Sequence, residues 1–212
     1  NKRDFKKYPK SIKSDITELK KLKINYLYIP TYKDIYSFKP KNKIYLDKFS
    51  KILCGKFRKA HFKGVINVIN RFLEIIKPRY IYLGFKDFQQ LILIDRHIKK
   101  NKIKTKVIGC KTIRERNGVA CSTRNLSLNK KQLRTASKIY KYLSNLKKII
   151  NKDLNFFIST SVRKDLILMG INKIDYIEII NSNIFQEITK TKKKFKLFIA
   201  YYIKNTRLID NI

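Results

Sequence analysis

The first half of the chain alternates between two patterns: stretches in which apolar residues recur every three or four positions, and short continuous apolar runs. The three-and-four spacing is that of one face of a helix, and it predicts helices over residues 61–76 and 87–99. Pro78 ends the first helix, because a proline disfavours helical backbone in the residue before it. The apolar runs predict short strands at residues 26–29, 80–83 and 105–108.

Strands that alternate with helices in this way form βαβ units, and these build a parallel sheet. Ligands of such sheets bind beyond the carboxyl ends of the strands, where glycine lets the backbone approach a phosphate closely. Gly84 and Gly109 directly follow two of the predicted strands. The sequence therefore predicts a doubly wound α/β domain with a small-molecule site at the edge that carries both glycines.

The pattern changes in the second half, where helices come first and strands follow. Such an order is typical of a smaller α+β domain rather than of continued βαβ units. We place the boundary near Ile113, which divides the chain into domains of residues 1–112 and 113–212. The predicted helices of the second domain are residues 128–150 and 162–168, and its predicted strands are residues 176–180, 195–200 and 206–209.

Composition and charge exclude several classes of protein. The hydrophobic fraction of 43% is too high for a disordered chain. No run of about 18 apolar residues is present, so we expect no membrane span. The formal charge of +36 suggests a polyanionic partner, but 40 of the 51 basic residues are lysines spread over almost every segment. Because phosphate forks and base edges favour arginine, we attribute the charge to AT-rich coding and expect no nucleic-acid partner.

The cysteines point to a reducing compartment. There are three of them, far apart, with no C-x-x-C pair and no histidine at ligand spacing. This arrangement favours neither a disulfide framework nor a structural zinc site. We expect a protein of the cytoplasm, or of the matrix of an organelle of bacterial descent.

A first polar cluster, residues 84–90, falls at the predicted ligand edge of the parallel sheet. Lys86 adds its charge to the amide groups of a helix N-terminus, which favours binding of a phosphate. Asp87 can cap that helix or accept a hydrogen bond from a ribose hydroxyl. Gln90 lies one helical turn further on and can orient a polar substrate. The same residues also fit an ordinary capped helix end on the surface.

A second polar cluster occupies residues 117–125. It places the hydroxyls of Ser122 and Thr123 directly before Arg124, a set that can bind a triphosphate and offset charge on a transferring group. An ordinary loop with an N-cap serine explains these residues equally well. Neither cluster is specific by itself.

In chain order, however, the clusters resemble the motifs of the pantothenate synthetase (pantoate–β-alanine ligase) family. GFKDFQQL at residues 84–91 resembles the family's G-E-K-D-x-Q-Q motif, and NGVACSTRN at residues 117–125 resembles its M-S-S-R-N motif. Three further segments resemble family motifs: RKAHFKGV at 58–65 is similar to R-P-x-H-F-x-G-V, DFKKYPK at 4–10 to D-x-Y-P-R, and TRLIDN at 206–211 to T-R-L-I-D-N.

The resemblance implies a fold and a reaction. The fold would be a Rossmann-like nucleotidyltransferase domain with its amino-terminal part missing, followed by a smaller α+β domain that covers ATP, in a homodimer. The reaction would join pantoate to β-alanine with ATP and Mg²⁺, through an enzyme-bound pantoyl-adenylate. Adenylation needs a positive clamp on phosphate and bound Mg²⁺ more than it needs a general base.

The resemblance also implies roles for individual residues, carried over motif by motif. The catalytic groups would be Lys86, which neutralises charge at the α-phosphate, with Ser122, Thr123 and Arg124 closing over the phosphates. Ile113 would pack against the adenine. Pantoate would be held by Gln90, with Arg58 and His61 near its pocket. The full set implied to bind ATP is Gly84, Phe85, Lys86, Asp87, Ile113, Cys121, Ser122, Thr123 and Arg124; no metal ligand is assigned.

The sequence departs from the family pattern at several positions. Phe85 stands where the family has Glu, Thr123 where it has a second Ser, and Cys121 where it has Met. The His-x-Gly-His signature that binds ATP phosphates in the family is missing, since neither His61 nor His97 lies in such a motif. We expect His97 to be a surface residue late in its helix, and we expect the 212 residues alone to have weak activity or none.

Three other functions compete with the ligase. A different nucleotidyltransferase of the same superfamily, acting on another carboxylate or phosphate, would account for the fold but less well for Gln89, Gln90 and the closing residues 207–211. A basic RNA- or ribosome-associated protein would account for the charge but not for the ordered motifs. A catalytically decayed paralogue that keeps the fold would account for Phe85 and for the missing signature.

Overall fold

The computed structural model describes residues 12–153, 159–181 and 195–212. The chain divides into two compact units, residues 1–39 and residues 40–212. The segment that resembles the D-x-Y-P-R motif, residues 4–10, lies outside the described residues.

In the first unit, helix α1 spans Ile12–Lys21 and the short helix α2 spans Tyr32–Tyr36. A capping box between Thr31 and Asp34 starts α2. The strand predicted at residues 26–29 does not form, and that prediction is wrong. A strand needs a neighbour for its backbone N–H and C=O groups, and no strand within the described residues pairs with this apolar run.

The second unit begins with the elements that build the parallel sheet. Its two strands pair with Tyr80 opposite Lys106 and Gly84 opposite Cys110, and a helix crosses between them, as predicted. The elements in chain order are α3 (Cys54–Phe57), α4 (His61–Ile76), β1 (Tyr80–Gly84), α5 (Phe88–Lys100) and β2 (Lys106–Cys110).

After the parallel sheet, the described residues of the second unit form an antiparallel sheet and two helices, as the pattern of the second half predicts. A capping box between Asn129 and Gln132 starts the first of these helices. No helix in residues 12–153, 159–181 or 195–212 is long and apolar enough to cross a lipid bilayer. The elements are α6 (Lys130–Ile150), α7 (Ser159–Leu168), β3 (Lys173–Asn181), β4 (Phe195–Ile203) and β5 (Thr206–Asn211), with the strands in the order β3–β4–β5.

The antiparallel sheet is buried on both faces, because its middle strand is apolar at almost every position. Phe198 and Ala200 face one way and pack in a core with residues of α4 and α5. Leu197 and Ile199 alternate with them and pack on the other side with residues of α6 and α7. The sheet thereby brings β5 alongside both the start of α5 and helix α6.

The prediction that His97 is a surface residue is wrong. The side chain is fully buried, and its Nδ1 accepts a hydrogen bond from the Tyr45 N–H at 3.2 Å. The proton is therefore on Nε2, which donates to Asn70 Oδ1 at 3.1 Å. His97 follows Ile94 by three residues, so the helical spacing itself puts it on the apolar face of α5. Burial lowers the pKa of His97 below its usual value.

Candidate active site

Two clefts meet at Lys86 in the second unit. The α6 cleft is open to solvent and lies between residues 119–125, helix α6 and strand β5. The α4 cleft is also open and lies between residues 53–62, the start of α5 and the antiparallel sheet. Lys86, Ile209 and Asp210 line both clefts. A ligand with two parts could therefore occupy both clefts with Lys86 between them.

Lys86 lies in a single 3₁₀ turn, Phe85–Asp87, that joins β1 to α5. Its ammonium group donates to the carbonyl oxygen of Cys121 at 2.9 Å. Burial lowers the pKa of Lys86, an effect that the carboxylates of Asp87 and Asp210 oppose. An ammonium has three N–H donors, so Lys86 can bind an anion in either cleft while it keeps the bond to Cys121.

The α6 cleft carries the hydroxyl and the guanidinium that the sequence predicted beside Lys86. Ser122 caps the 3₁₀ turn Thr123–Ser127, and its Oγ accepts a hydrogen bond from the Arg124 N–H at 3.2 Å. The side chains of Ser122 and Arg124 line the cleft. Asn125 anchors this turn, because its Nδ2 donates to Glu115 Oε1 at 2.6 Å. The arrangement gives the α6 cleft a positive end suited to phosphate.

The α4 cleft holds a second positive group. Arg58 donates from its guanidinium to His61 Nε2 at 2.8 Å, and both side chains line the cleft. Since a guanidinium has no acceptor, His61 must accept this bond and carry its proton on Nδ1. Burial, followed by the charges of Arg58, Arg207 and Arg124, lowers the pKa of His61 to about 4. His61 is therefore neutral near pH 7 and adds no second charge beside Arg58.

The adjacent residues Gln89 and Gln90 have different roles. Gln89 is buried and donates from Nε2 to the carbonyl oxygens of Phe49 and Ile52, at 2.7 and 2.8 Å. Its Oε1 accepts from the Cys54 N–H at 3.1 Å. These three bonds fix residues 49–54 against α5. Gln90 lines the α4 cleft, so its amide can reach a ligand there.

The two glycines that the sequence placed at the sheet edge also differ. A Cβ added to Gly84 would meet no atom within 4 Å, so the fold itself does not require glycine at this position. A Cβ added to Gly109 would lie 2.1 Å from the Phe85 ring. Gly84 is the last residue of β1 and Gly109 lies inside β2, so neither follows its strand, which corrects the prediction. Gly109 makes room for Phe85. The Phe85 ring packs there and against Phe88, with 5.9 Å between the ring centroids.

The structure thus divides the predicted site residues into two groups. Lys86, Ser122 and Arg124 line the α6 cleft. The α4 cleft is lined by Lys86 again and by Arg58, His61, Asp87 and Gln90. The predicted residues that line neither cleft are Gly84, Phe85, Ile113, Cys121 and Thr123, although the Cys121 carbonyl binds Lys86.

Asp210 lines both clefts, although it is not among the predicted site residues. Its carboxylate accepts two hydrogen bonds from Arg114, at 2.7 and 2.9 Å. The Arg114 guanidinium also stacks on the Tyr140 ring, 4.3 Å from the ring centroid. The signal was present in the sequence, since Asp210 belongs to the closing segment that matched the family.

A second cluster that the sequence analysis missed connects the walls of the clefts. Arg207 donates from Nε to Asp175 at 2.8 Å and lies 3.7 Å from the Cys54 sulfur. Cys54 is also 3.0 Å from the Tyr176 hydroxyl. These contacts join residues far apart in the chain, so local sequence patterns could not reveal them. They hold the segment around Cys54 to strands β3 and β5.

Comparison with solved structures defines the class of fold. The pantoate-β-alanine ligase from Francisella tularensis, complexed with "Beta-gamma ATP and Beta-alanine", aligns with a TM-score of 0.82 at 33% identity, over 100% of this chain and 73% of its own. The pantothenate synthetase from Thermus thermophilus aligns with a TM-score of 0.84 at 22% identity, over 99% and 76%, and shows the fold alone. The protein is an α/β protein of the Rossmann-like nucleotidyltransferase fold, as predicted.

Comparison of sequences defines the family. The family model described as pantoate-β-alanine ligase matches residues 1–212. The pantothenate synthetase of Endomicrobium trichonymphae is 38% identical over 210 residues, which cover 99% of this chain and 74% of the relative. That of Sulfurihydrogenibium sp. (strain YO3AOP1) is 36% identical over 212 residues, with 99% and 76% covered. The chain belongs to the pantoate–β-alanine ligase family, which confirms the resemblance seen in its motifs.

Proposed function

We propose that the protein joins pantoate to β-alanine in an ATP-dependent reaction, through a pantoyl-adenylate, with release of pyrophosphate and then AMP. The position of Lys86 is the observation that best supports this reaction. It stands between a cleft with Ser122 and Arg124 and a cleft with Arg58. A site that activates a carboxylate with ATP needs such a cation between the two anions, which otherwise repel one another.

In the first step, the α6 cleft holds the phosphates of ATP and the α4 cleft holds pantoate. Arg58 and Gln90 orient the pantoate, and His61 supports Arg58 through its hydrogen bond. A carboxylate oxygen of pantoate attacks the α-phosphorus, and the bond to pyrophosphate breaks. Lys86 offsets the charge that develops on the α-phosphate during this attack.

Ser122 and Arg124 bind the β- and γ-phosphates in this proposal, and Thr123 closes over them from the same turn. Asp87 belongs to the turn that carries Lys86 and lines the α4 cleft, and Gly84 directly precedes that turn; both meet ATP at its α-phosphate, where the two clefts join. Ile113 is 72% exposed, so its apolar surface can receive the adenine ring. Cys121 contributes its carbonyl, which holds the Lys86 amine.

In the second step, the amine of β-alanine attacks the acyl carbon of the adenylate. The C–N bond forms, the bond to AMP breaks, and the amine gives up a proton. Proximity of the two bound reactants supplies most of the acceleration that this step needs, since an acyl-adenylate is already activated. The products are pantothenate and AMP.

Magnesium enters this reaction with ATP. The described residues contain no group of three or more His, Cys, Asp or Glu side chains that could hold a metal ion. The Asp210 carboxylate is already bonded to Arg114. We therefore propose that the triphosphate itself binds Mg²⁺, which adds positive charge on the phosphate side of Lys86.

We further propose a homodimer in the cytoplasm, or in the matrix of an organelle of bacterial descent, with a domain boundary near Ile113. The family resemblance and the reducing-compartment cysteine pattern support these assignments. The parallel sheet lies before Ile113 and the antiparallel sheet after it. Sedimentation of the purified protein tests the dimer, and limited proteolysis near Ile113 tests the boundary.

The test of the reaction is AMP release under single-turnover conditions, with protein in excess over ATP so that slow adenylation is detected. We expect AMP only when pantoate, β-alanine and Mg²⁺ are all present, and pyrophosphate when β-alanine is left out. AMP release without pantoate would contradict the proposal. Pantoate binding without any adenylate would support the decayed paralogue instead.

A further inference from the structure

The turn that carries Lys86 is held by the last strand of the antiparallel sheet. Asn211, near the end of β5, is 5% exposed. Its side-chain Nδ2 donates to the carbonyl oxygen of Phe85 at 2.7 Å and to that of Lys86 at 3.0 Å. One amide group therefore satisfies two consecutive carbonyls of the turn, and one of them belongs to Lys86 itself.

The other contacts of β5 make Asn211 a fixed point. Its backbone lies opposite Phe198 in the β4–β5 ladder, and its N–H donates to Asp210 Oδ1 at 2.8 Å. Arg114 holds the same Asp210 carboxylate with two hydrogen bonds. A side chain anchored in this way can fix the position of the Phe85–Asp87 turn.

The amine end of Lys86 is held separately. The bond from its ammonium to the Cys121 carbonyl sets the tip of the side chain, at 2.9 Å. Asn211 sets the backbone end, through a partner 125 residues away in sequence. The lysine is thus fixed at both ends, which is the arrangement needed when a charge must meet a phosphate at one defined place.

We infer that Asn211 is a positioning residue for Lys86 in adenylation. The inference rests on the proposed function, in which Lys86 offsets charge at the α-phosphate. Asn211 does not touch the reactants in this scheme; it keeps the Phe85–Asp87 turn where the Lys86 amine reaches them. A misplacement of about 1 Å at a reacting centre can cost on the order of 10²-fold in rate.

The first measurement compares Asn211→Leu with a matched control. Leucine is close to asparagine in size but has no donor. Asn101 is the control position, because its Nδ2 also donates to two backbone carbonyls, those of Lys43 and His97, at the opposite end of α5. We expect Asn211→Leu to lower kcat of adenylation about 10- to 100-fold with little change in the KM for pantoate. Asn101→Leu should leave kcat within about twofold of wild type, because its Nδ2 contacts the Lys43 carbonyl, the His97 carbonyl and His97 Nδ1, and neither Lys43 nor His97 lines a cleft.

The second measurement asks whether the effect passes through Lys86. In the Lys86→Ala background, removal of the Asn211 amide should cost no further activity, because the group that it positions is gone. Equal losses in both backgrounds, or an unchanged kcat in Asn211→Leu, would overturn the inference.

The third measurement does not require turnover. Hydrogen–deuterium exchange in peptides that cover residues 83–91 should become faster in Asn211→Leu and stay as in wild type in Asn101→Leu. Unchanged exchange in Asn211→Leu would overturn the inference even in an active enzyme. If wild-type protein forms no adenylate, the proposed function fails, and the exchange experiment still decides whether Asn211 holds the turn.

Discussion

Two groups of polar side chains in residues 40–212 each contain one of the two histidines of the chain. His97 lies in the core, and its ring nitrogens are bonded to the neutral groups of Tyr45 and Asn70. His61 lies at a cleft and is bonded to the charged guanidinium of Arg58. Burial is the largest cause of a lowered pKa in both.

The difference between the two histidines lies in their partners. The His97 network satisfies buried neutral groups, so its contribution is to the free energy of folding. The His61 pair holds a positive charge at the wall of a cleft, which an anionic ligand can neutralise. A lowered pKa alone therefore does not distinguish a structural histidine from one at a site. We therefore expect substitutions in the His97 network to change mainly stability, and substitutions at the clefts to change mainly activity.

The largest effect on activity is expected at the junction of the clefts. Lys86→Ala should lower kcat of adenylation by about 10²–10³-fold, the usual cost of removing one donor aimed at developing charge. The free energy of unfolding should change by less than about 1 kcal/mol, since Lys86 is only partly buried and its bond to the Cys121 carbonyl lies at the surface. Single-turnover adenylation and urea denaturation measure the two quantities. The control is Lys63→Ala, which removes an exposed lysine of α4; equal activity losses in both variants would contradict the role.

The largest effect on stability is expected in the buried network. His97→Leu leaves the Tyr45 N–H and Asn70 Oδ1 without their partners. A buried group left unsatisfied costs about 1–3 kcal/mol, so the free energy of unfolding should fall by about 2–6 kcal/mol for the two together. The kcat of the folded fraction should not change. A loss of kcat with unchanged stability would remove the distinction between the two regions.

A smaller effect is expected at the wall of the α4 cleft. Arg58→Ala should raise the KM for pantoate about 10- to 100-fold, because a hydrogen bond to a charged group contributes about 1.5–3 kcal/mol. The KM for ATP should change little, and Arg58→Lys should recover part of the loss because it keeps the charge. Steady-state kinetics with each substrate varied in turn measure these constants. An equal rise in both KM values would indicate a general distortion rather than a pantoate contact.

Local patterns predicted most of the helices and strands, because apolar periodicity depends only on neighbours in the chain. The strand predicted at residues 26–29 failed because a strand also depends on a partner. Lys86, Ser122 and Arg124 could be predicted together, because the two segments that carry them resemble motifs of one family in the same chain order. The role of Asn211 could not be predicted, because it depends on the pairing of β5 with β4 and on a contact with Lys86, which lies 125 residues away in the sequence.

The smallest predicted effect is on the pH dependence of stability, to which both histidines contribute. The folded pKa of His61 is about 4, below the value of 6.5 expected when the chain is unfolded. Between these pH values the unfolded chain binds more protons, so His61 reduces the free energy of unfolding as the pH falls from 6.5 toward 4. His97 acts in the same direction, since its pKa is also lowered.

Arg58→Ala should change the pKa of only one of the two histidines, His61. The substitution removes a charge that lowers the pKa of His61 and exposes the ring to water, so the pKa of His61 should rise. The pH range over which His61 reduces the free energy of unfolding should therefore become narrower. The pKa of His97 should stay where it is, because burial alone lowers it. A chain with only two histidines gives two imidazole signals to follow by NMR as the pH is varied. If both signals shift together in Arg58→Ala, the two polar regions are coupled and the separation between them fails; if only that of His61 shifts, its pKa depends on the cleft charge and that of His97 on the core.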